Sequence, residues 1–323
     1  MYRRAMARLY NGANVETRFH SARLYNQQPT ITKNYCKMKI GSENHKELFC
    51  RSFIESHIEF EPEQLNWPDL DSVALERIRS VPFWKEALST ERNAGAMVSA
   101  FAATITDPLL QEAIALQAME ETRHFRLIEF VINHYGIEIS EPPSPVVPSN
   151  IKTAFVDFGF GECLDSFLAF GLFKIARQAK YMPEAIFDIF DHILNEEARH
   201  IMFFVNWVTY QQIQEGRQAN WLRGVEALWY YRRAFQDKIK AFSGSEEEKQ
   251  EAFTATAASN FMDNLTLELF LSTCLEENTR RMSVFDQHLL QPRLLPKLAA
   301  TALRILKVRP RRQSHPAAQF SEP

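Results

Sequence analysis

Two pentapeptides constrain the fold of this chain more than any other feature. They are Glu120-Glu121-Thr122-Arg123-His124 and Glu196-Glu197-Ala198-Arg199-His200. Each lies in the middle of a long segment whose apolar residues recur at helical spacing. Each contains Glu-x-x-His, which places a carboxylate and an imidazole on one helix face, one turn apart. The pattern predicts two helices that face each other and carry charged groups into a shared core.

Composition agrees with a helical protein. Of the 323 residues 46% are apolar and only ten are glycine, which favours helix over sheet. A net charge of −3 gives no reason to expect a nucleic-acid partner. We expect no transmembrane segment, because no apolar run approaches the roughly 18 residues that a membrane helix needs. The cysteines show no close pairing and no zinc-type spacing, which favours a reduced, cytoplasmic location.

Turn signals divide the central region into helices. The first long helical pattern begins near Trp84, and Asp107 followed by Pro108 is typical of an N-cap and the first residue of the next helix. Gly136 predicts the end of that second helix. Four prolines within 142–148 exclude a helix there and indicate an extended crossover.

The remaining pattern predicts five more helices. They are expected at 155–178, 183–214, 221–242, 246–281 and 294–307. Two short helix–helix turns with one longer crossover between them are the connectivity of ferritin-like bundles. We therefore predict an all-α protein, with a four-helix bundle at 83–215 and additional helices at 216–308 that pack on it.

The ends of the chain are predicted from charge. Residues 1–40 carry eight Lys or Arg against one acid, Glu16, which is typical of a disordered tail, a transit peptide or a start upstream of Met38. We favour the tail, expect an approach segment at 41–82, and expect a disordered tail at 309–323. The stretch 293–312 mixes apolar and basic residues, so a peripheral membrane contact stays open beside the favoured docked helix.

Partners for the two motifs can be found by their height in the bundle. Glu91 and Glu121 lie at similar distances on either side of the turn at Asp107, so they should sit at one level. Glu162 is placed similarly against Glu197. Asp165, one turn further on, competes with it, and we favour Glu162 because its longer side chain reaches a bridging position more easily.

These residue types suit a pair of metal ions. Carboxylates can bridge two hard cations, histidine nitrogen suits iron, and ligation without thiolate argues against a structural zinc site. Four buried carboxylates without cations would be strongly destabilising. The predicted catalytic and metal-ligating residues are Glu91, Glu121, His124, Glu162, Glu197 and His200.

Neighbouring charges suggest a supporting layer. Glu120 and Glu196 each lie four residues before the histidine of their own motif, and they are expected to accept its spare N–H. Arg123 and Arg199 would neutralise these acids. An ordinary surface ion network is the alternative for all four. Gln117 is expected on the face of the helix that carries Glu121.

At these residues the chain resembles the diiron carboxylate branch of the ferritin-like superfamily over about 84–214. The motifs are similar to the acid-Glu-x-Arg-His form of acyl-carrier-protein desaturases and bacterial multicomponent monooxygenases. The resemblance implies the same six ligands. Two departures argue against particular members of this branch. Ile128 and Phe204 occupy the positions of a radical tyrosine in ribonucleotide reductase small subunits, which argues against that role. Ile193 stands where diiron N-oxygenases add a third histidine, which argues against a third histidine ligand.

The resemblance implies an oxidase or oxygenase that binds two iron ions, with Mn/Fe as a further option. Dioxygen would be the co-substrate and a small apolar organic molecule the substrate. The alternative is a ferroxidase or iron-handling protein without an organic substrate. A helical scaffold with a degenerate site is disfavoured by the complete set of ligands. The electron donor and a homodimer stay open.

Overall fold

The computed structural model describes residues 38–243 and 265–308. The predicted all-α class is confirmed, since the described residues form helices and no strand. None of these helices combines the length and apolar character needed to cross a membrane. The predictions for the basic N-terminal residues up to Lys37, and for the tail at 309–323, fall outside the described residues.

Nine α-helices and one 3₁₀-helix make up the described chain. The α-helices are, in order, α1 Glu43–Glu55, α2 Ser72–Ser80, α3 Trp84–Ala102, α4 Pro108–His134, α5 Ile151–Gln178, α6 Glu184–Gln214, α7 Asn220–Ser243, α8 Leu267–Met282 and α9 Leu294–Val308, and the 3₁₀-helix is Pro62–Gln64. The long helices α3 to α6 pack into the central bundle, with α3 lying along α4 and α5 against α6.

Local backbone chemistry explains most of the helix ends. Oδ1 of Asp107 accepts hydrogen bonds from the N–H groups of Leu109 and Leu110, which caps α4. After α4 the chain turns at Gly136, whose φ of +60° favours glycine. The predicted start of the third bundle helix at Phe155 is wrong. Helix α5 begins at Ile151 because Oδ1 of Asn150 accepts the N–H of Thr153 at 3.2 Å.

The segment 41–82 contains more helix than an approach segment suggests. Helix α1 packs against both α4 and α6 and buries apolar side chains there, including Leu48, Phe49 and Phe53. Helix α2 buries Ile78 in a cluster with the beginning of α3 and the ends of α4 and α5. Part of this segment therefore reaches the middle of the bundle.

The helices after α6 cover α5. Helix α8 approaches α5 at Gly171, where an added Cβ would lie 2.9 Å from the backbone nitrogen of Cys274. Buried Arg281 on α8 donates to Asp191 and Asn195 of α6, at 2.6 Å each. Of the helix predicted at 246–281, residues up to 264 lie outside the described residues.

Candidate metal centre

The six predicted ligands meet inside the bundle. Glu91 comes from α3, Glu162 from α5, and the two motifs from α4 and α6. One ligand atom from each of four residues lies within 4.8 Å of the others, and these residues are Glu91, Glu121, His124 and Glu197. Glu121, His124, Glu197 and His200 are buried, whereas Glu91 and Glu162 are half-buried.

Glu121 and Glu197 lie between the two histidines. Nδ1 of His124 is 3.2 Å from Oε1 of Glu197 and 3.7 Å from Oε2 of Glu121. Nδ1 of His200 is 3.2 Å from Oε1 of Glu121 and 3.6 Å from Oε2 of Glu197. Each of these carboxylates therefore faces both histidines, which is the position of a ligand that could bridge two cations.

The other two carboxylates flank this centre. Oε2 of Glu91 lies 3.6 Å from Nδ1 of His124. Glu162 lies close enough to Glu197 and Glu121 for their charges to shift its pKa, which joins it to the cluster. Asp165, the competing candidate, is half-buried one turn further along α5. The arrangement thus contains four carboxylates around two imidazoles.

The crowding of the acids shifts the pKa values of their carboxyl groups. Burial raises the pKa of Glu91 to about 7. Burial, reinforced by the negative charges of Glu197 and Glu121, raises the pKa of Glu162 well above its usual value. Burial opposes ionisation of Glu121 and Glu197 too, but the adjacent His200 holds the pKa of both below the usual value. The centre therefore contains more acid than its two imidazoles can neutralise.

The supporting carboxylates act across the helix interface. Nε2 of His124 lies 2.9 Å from Oε2 of Glu196 on α6, and Nε2 of His200 lies 2.8 Å from Oε2 of Glu120 on α4. The expectation that each acid serves the histidine of its own motif is wrong. Each imidazole spans the gap between α4 and α6, so its far nitrogen meets the opposite helix.

The motif arginines neutralise these acids, also across the interface. Arg123 pairs with Glu196, and Nη1 of Arg199 donates to Oε1 of Glu120 at 2.8 Å. All four side chains are buried, which excludes the surface-network alternative. Arg199 also stacks on Phe53 and donates to its carbonyl oxygen at 2.6 Å. Helix α1 therefore supports the arginine that supports the centre.

Sequence reasoning missed the contribution of His57. Its Nδ1 is hydrogen-bonded to Oε1 of Glu120. His57, Glu120 and Glu196 also bring ligand atoms within 4.8 Å of one another, but both carboxylates already accept hydrogen bonds from arginine and histidine. His57 belongs to no motif, and only the amphipathic pattern of α1 could have indicated that this segment reaches the core.

Gln117, expected on the face of α4 that carries Glu121, donates a hydrogen bond to Oε1 of Glu121 at 3.2 Å.

The hydrogen bonds of the histidines provide a test of whether cations fit. Nε2 of each ring is bonded to a carboxylate, which leaves Nδ1 as the ring nitrogen that points into the centre. Nδ1 of His124 and Nδ1 of His200 are buried and make no hydrogen bond. Burial opposes a charge on these imidazoles, but the carboxylates around each ring raise the pKa of both histidines well above the usual value. The centre therefore attracts positive charge, either a proton on Nδ1 or a metal cation in its place, so these residues could hold metal.

A surface cleft is lined by residues that are close in sequence to Glu91 and Glu162. It has a volume of about 470 Å³ and lies between α3 and α5, next to the proline-rich crossover. Thr90 and Ala94, on either side of Glu91 in sequence, line it, and so does Phe158, one turn before Glu162. Most of its wall is apolar, and its size is in the range of small-molecule sites.

No family model matches the sequence, and neither a curated protein nor a solved structure does. The class defined by the fold and the site is accordingly a coarse one. The chain is an all-helical, bundle-like protein whose buried glutamates and histidines could hold metal.

Proposed function

We propose that this chain is a ferritin-like, non-haem dimetal oxidase or oxygenase that uses dioxygen to oxidise a small apolar organic molecule. One observation carries the proposal. The buried Nδ1 atoms of His124 and His200 lack hydrogen bonds and face carboxylates, while both Nε2 atoms are held by other acids. Oriented imidazole and carboxylate ligands of this kind are what metal centres in helical bundles use.

The residues that would hold the ions follow from the distances. Glu121 and Glu197 face both histidines and are the candidates for shared ligands. Glu91 and Glu162 would each add a carboxylate ligand on one side of the centre. The mixed N/O donor set suits two iron ions or a Mn/Fe pair. Such a pair would supply the redox chemistry that couples dioxygen reduction to substrate oxidation.

The protein's own contribution is orientation and charge. Glu120 and Glu196 fix the angle of the imidazoles, which keeps both Nδ1 atoms directed into the centre. Burial opposes ionisation of Glu120, but its hydrogen bonds with His200 and His57 and the charge of Arg199 hold its pKa well below the usual value. The acid that orients His200 therefore remains a hydrogen-bond acceptor.

The cleft supports an organic substrate over the ferroxidase alternative. Oxidation of iron needs only an ion path, whereas this cleft, lined by Thr90 and Ala94 of the helix that carries Glu91, has room for a small organic molecule. Met97, Val146 and Phe158 contribute to its apolar wall, with Thr90 and Asn93 as polar groups. A small apolar molecule with one polar end fits this lining best.

The experiment is anaerobic loading with ferrous iron, followed by metal quantification and mixing with oxygenated buffer. The wild-type chain should bind two irons, consume dioxygen and show an oxygen-dependent absorbance transient. Glu121→Ala and His200→Ala should lose both the iron and the transient. Loading with manganese before iron distinguishes Mn/Fe from Fe/Fe.

Glu129→Ala is the matched control, because Glu129 is an exposed glutamate of the same helix as Glu121. It should behave like the wild type. Circular dichroism of each variant shows whether the bundle is folded. If the folded wild-type chain binds at most one loosely held ion and consumes no dioxygen, the proposal is wrong. Stoichiometric iron oxidation that no small molecule alters would favour the ferroxidase.

A further inference from the structure

Helix α9 buries little of its surface against the rest of the described chain. Ala299 is its only buried residue, in a cluster with Phe167 and Cys274. Leu298 and Ile305 remain 42% and 57% exposed. They are seven residues apart, so they lie on one face of the helix, about two turns from each other. An apolar strip of α9 therefore remains uncovered within the described residues.

The charge along this part of the chain has a single sign. Between Asp286 and Glu322 the sequence contains no acid, and the charged residues up to Arg312 are all basic. These are Arg293, Lys297, Arg304, Lys307, Arg309, Arg311 and Arg312. The whole chain has a net charge of −3, so this cationic stretch is a local feature.

Within α9 the cations flank the apolar strip. Lys297 is next to Leu298, and Arg304 and Lys307 stand on either side of Ile305 in sequence, all of them exposed. Within the described residues none of these three forms an ion pair with an acid. A helix with an apolar strip bordered by unpaired cations has the features of interfacial membrane helices.

We propose that α9 binds an anionic lipid surface. The helix would lie in the plane of the interface, with Leu298 and Ile305 among the lipid headgroups and the cations against lipid phosphates. This placement requires no membrane-spanning segment. The inference is independent of the metal centre and of the proposed oxidase activity.

Other occupants match this surface less well. A nucleic acid would be attracted to the cations, but its backbone offers nothing to aliphatic side chains such as Leu298 and Ile305. A second copy docked through the same face would bring two cationic stretches together, and like charges oppose such an interface. An anionic lipid surface satisfies both the charge and the apolar strip.

Helix α7 provides a comparison, because it also exposes large apolar side chains, among them Val225 and Trp229. Its charge differs from that of α9. Arg233 pairs with Asp157 on α5, and Arg217 pairs with Glu226 of α7. Two cations around α7 are therefore neutralised by acids, and α7 itself contains Glu226, whereas α9 contains no acid.

The test uses the full chain and sucrose-loaded vesicles of phosphatidylcholine, with and without phosphatidylserine. The wild type should co-sediment with the anionic vesicles, less so at high salt, and not with the neutral ones. Since each basic residue near such a surface contributes about 1 kcal/mol, Arg304→Glu/Lys307→Glu should weaken partitioning roughly tenfold or more. Leu298→Asp/Ile305→Asp should weaken it as well.

Val225→Asp/Arg232→Glu on α7 is the matched control and should bind like the wild type. Equal binding to neutral and anionic vesicles, or an equal loss in the α7 control, would overturn the proposal. Two further results would also refute it. One is a dimer, seen by light scattering, that Leu298→Asp/Ile305→Asp dissociates. The other is a large fall in melting temperature for that variant, which would show the strip packed against this chain.

Discussion

Glu120 of α4 accepts a hydrogen bond from Nε2 of His200 on α6 at 2.8 Å, although the two residues are 80 positions apart in sequence. The reciprocal pair, Glu196 and His124, has a distance of 2.9 Å. Each motif thus orients the histidine of the other. The two halves of the centre are therefore coupled, and a change in one motif should affect the ligand of the opposite helix.

Substituting either orienting acid tests whether each motif orients the histidine of the other. Glu120→Gln should lower metal affinity by roughly 10- to 100-fold, because the outer carboxylate that orients His200 loses its charge. Glu196→Gln should act in the same way through His124. Competition titration with a chromophoric chelator measures the affinity. Glu129→Gln, an exposed change on α4, should leave it unaltered, and equal affinities in all three variants would contradict the assigned role.

Close packing between α5 and α8 predicts opposite effects at two glycines of one helix. Gly171→Ala places a methyl group 2.3 Å from Sγ of Cys274 and 2.9 Å from its backbone nitrogen. Overpacking should lower the free energy of unfolding by about 1–3 kcal/mol. Gly161 has nothing within 4 Å of the added Cβ, so Gly161→Ala should be neutral or stabilising by up to about 1 kcal/mol.

Urea denaturation followed by circular dichroism measures both glycine variants against the wild type. The informative quantity is the difference between the two, since they share a helix and a chemical change. If both variants unfold at the same urea concentration, α8 does not pack on α5 as closely as the distances at Gly171 indicate.

Buried His45 predicts a pH dependence of stability. Its Nε2 lies 3.0 Å from Oδ1 of Asn206, and burial lowers its pKa from the ordinary value of 6.5. The unfolded chain therefore binds a proton at higher pH than the folded one does. The stability that neutral His45 supports is present above about pH 6.5 and is lost as pH falls through the lowered pKa, by at most about 1.4 kcal/mol per pH unit.

Denaturation curves between about pH 7.5 and about pH 5 measure this loss. His45→Gln should flatten part of the dependence, because it removes the titrating group. Exposed His288 is the control, and His288→Gln should retain the slope of the wild type. An unchanged slope in His45→Gln would show that other groups account for the acid sensitivity.

A substitution that fills the cleft should abolish the binding of small molecules and leave the metal content unchanged. Ala154 lines the cleft from α5, so Ala154→Trp should occupy part of its volume of about 470 Å³. Thermal-shift measurements with a panel of small aromatic and aliphatic molecules should give hits for the wild type that disappear in this variant. Thr153→Trp, at the exposed neighbouring position, should retain them, and iron content should be equal in all three.

The helix ends were predictable because they depend on interactions within one or two turns. Asp107 caps α4 through the next three residues, and Gly136 permits a left-handed turn that other residues resist. The start of α5 was missed because Asn150 caps the helix, which then begins at Ile151, four residues before the predicted position. The contribution of α1 was missed because the helix has no motif and its partners are far away in sequence.

For the centre, the sequence by itself determined which side chains share a helix face. The i, i+3 spacing of Glu121 with His124, and of Glu197 with His200, follows from helix geometry alone. Only the tertiary structure decided which acid meets which imidazole, since those partners are separated by 72 and 80 residues. Such pairings depend on how helices are rotated and packed against each other. Helical periodicity within one segment contains no information about that packing.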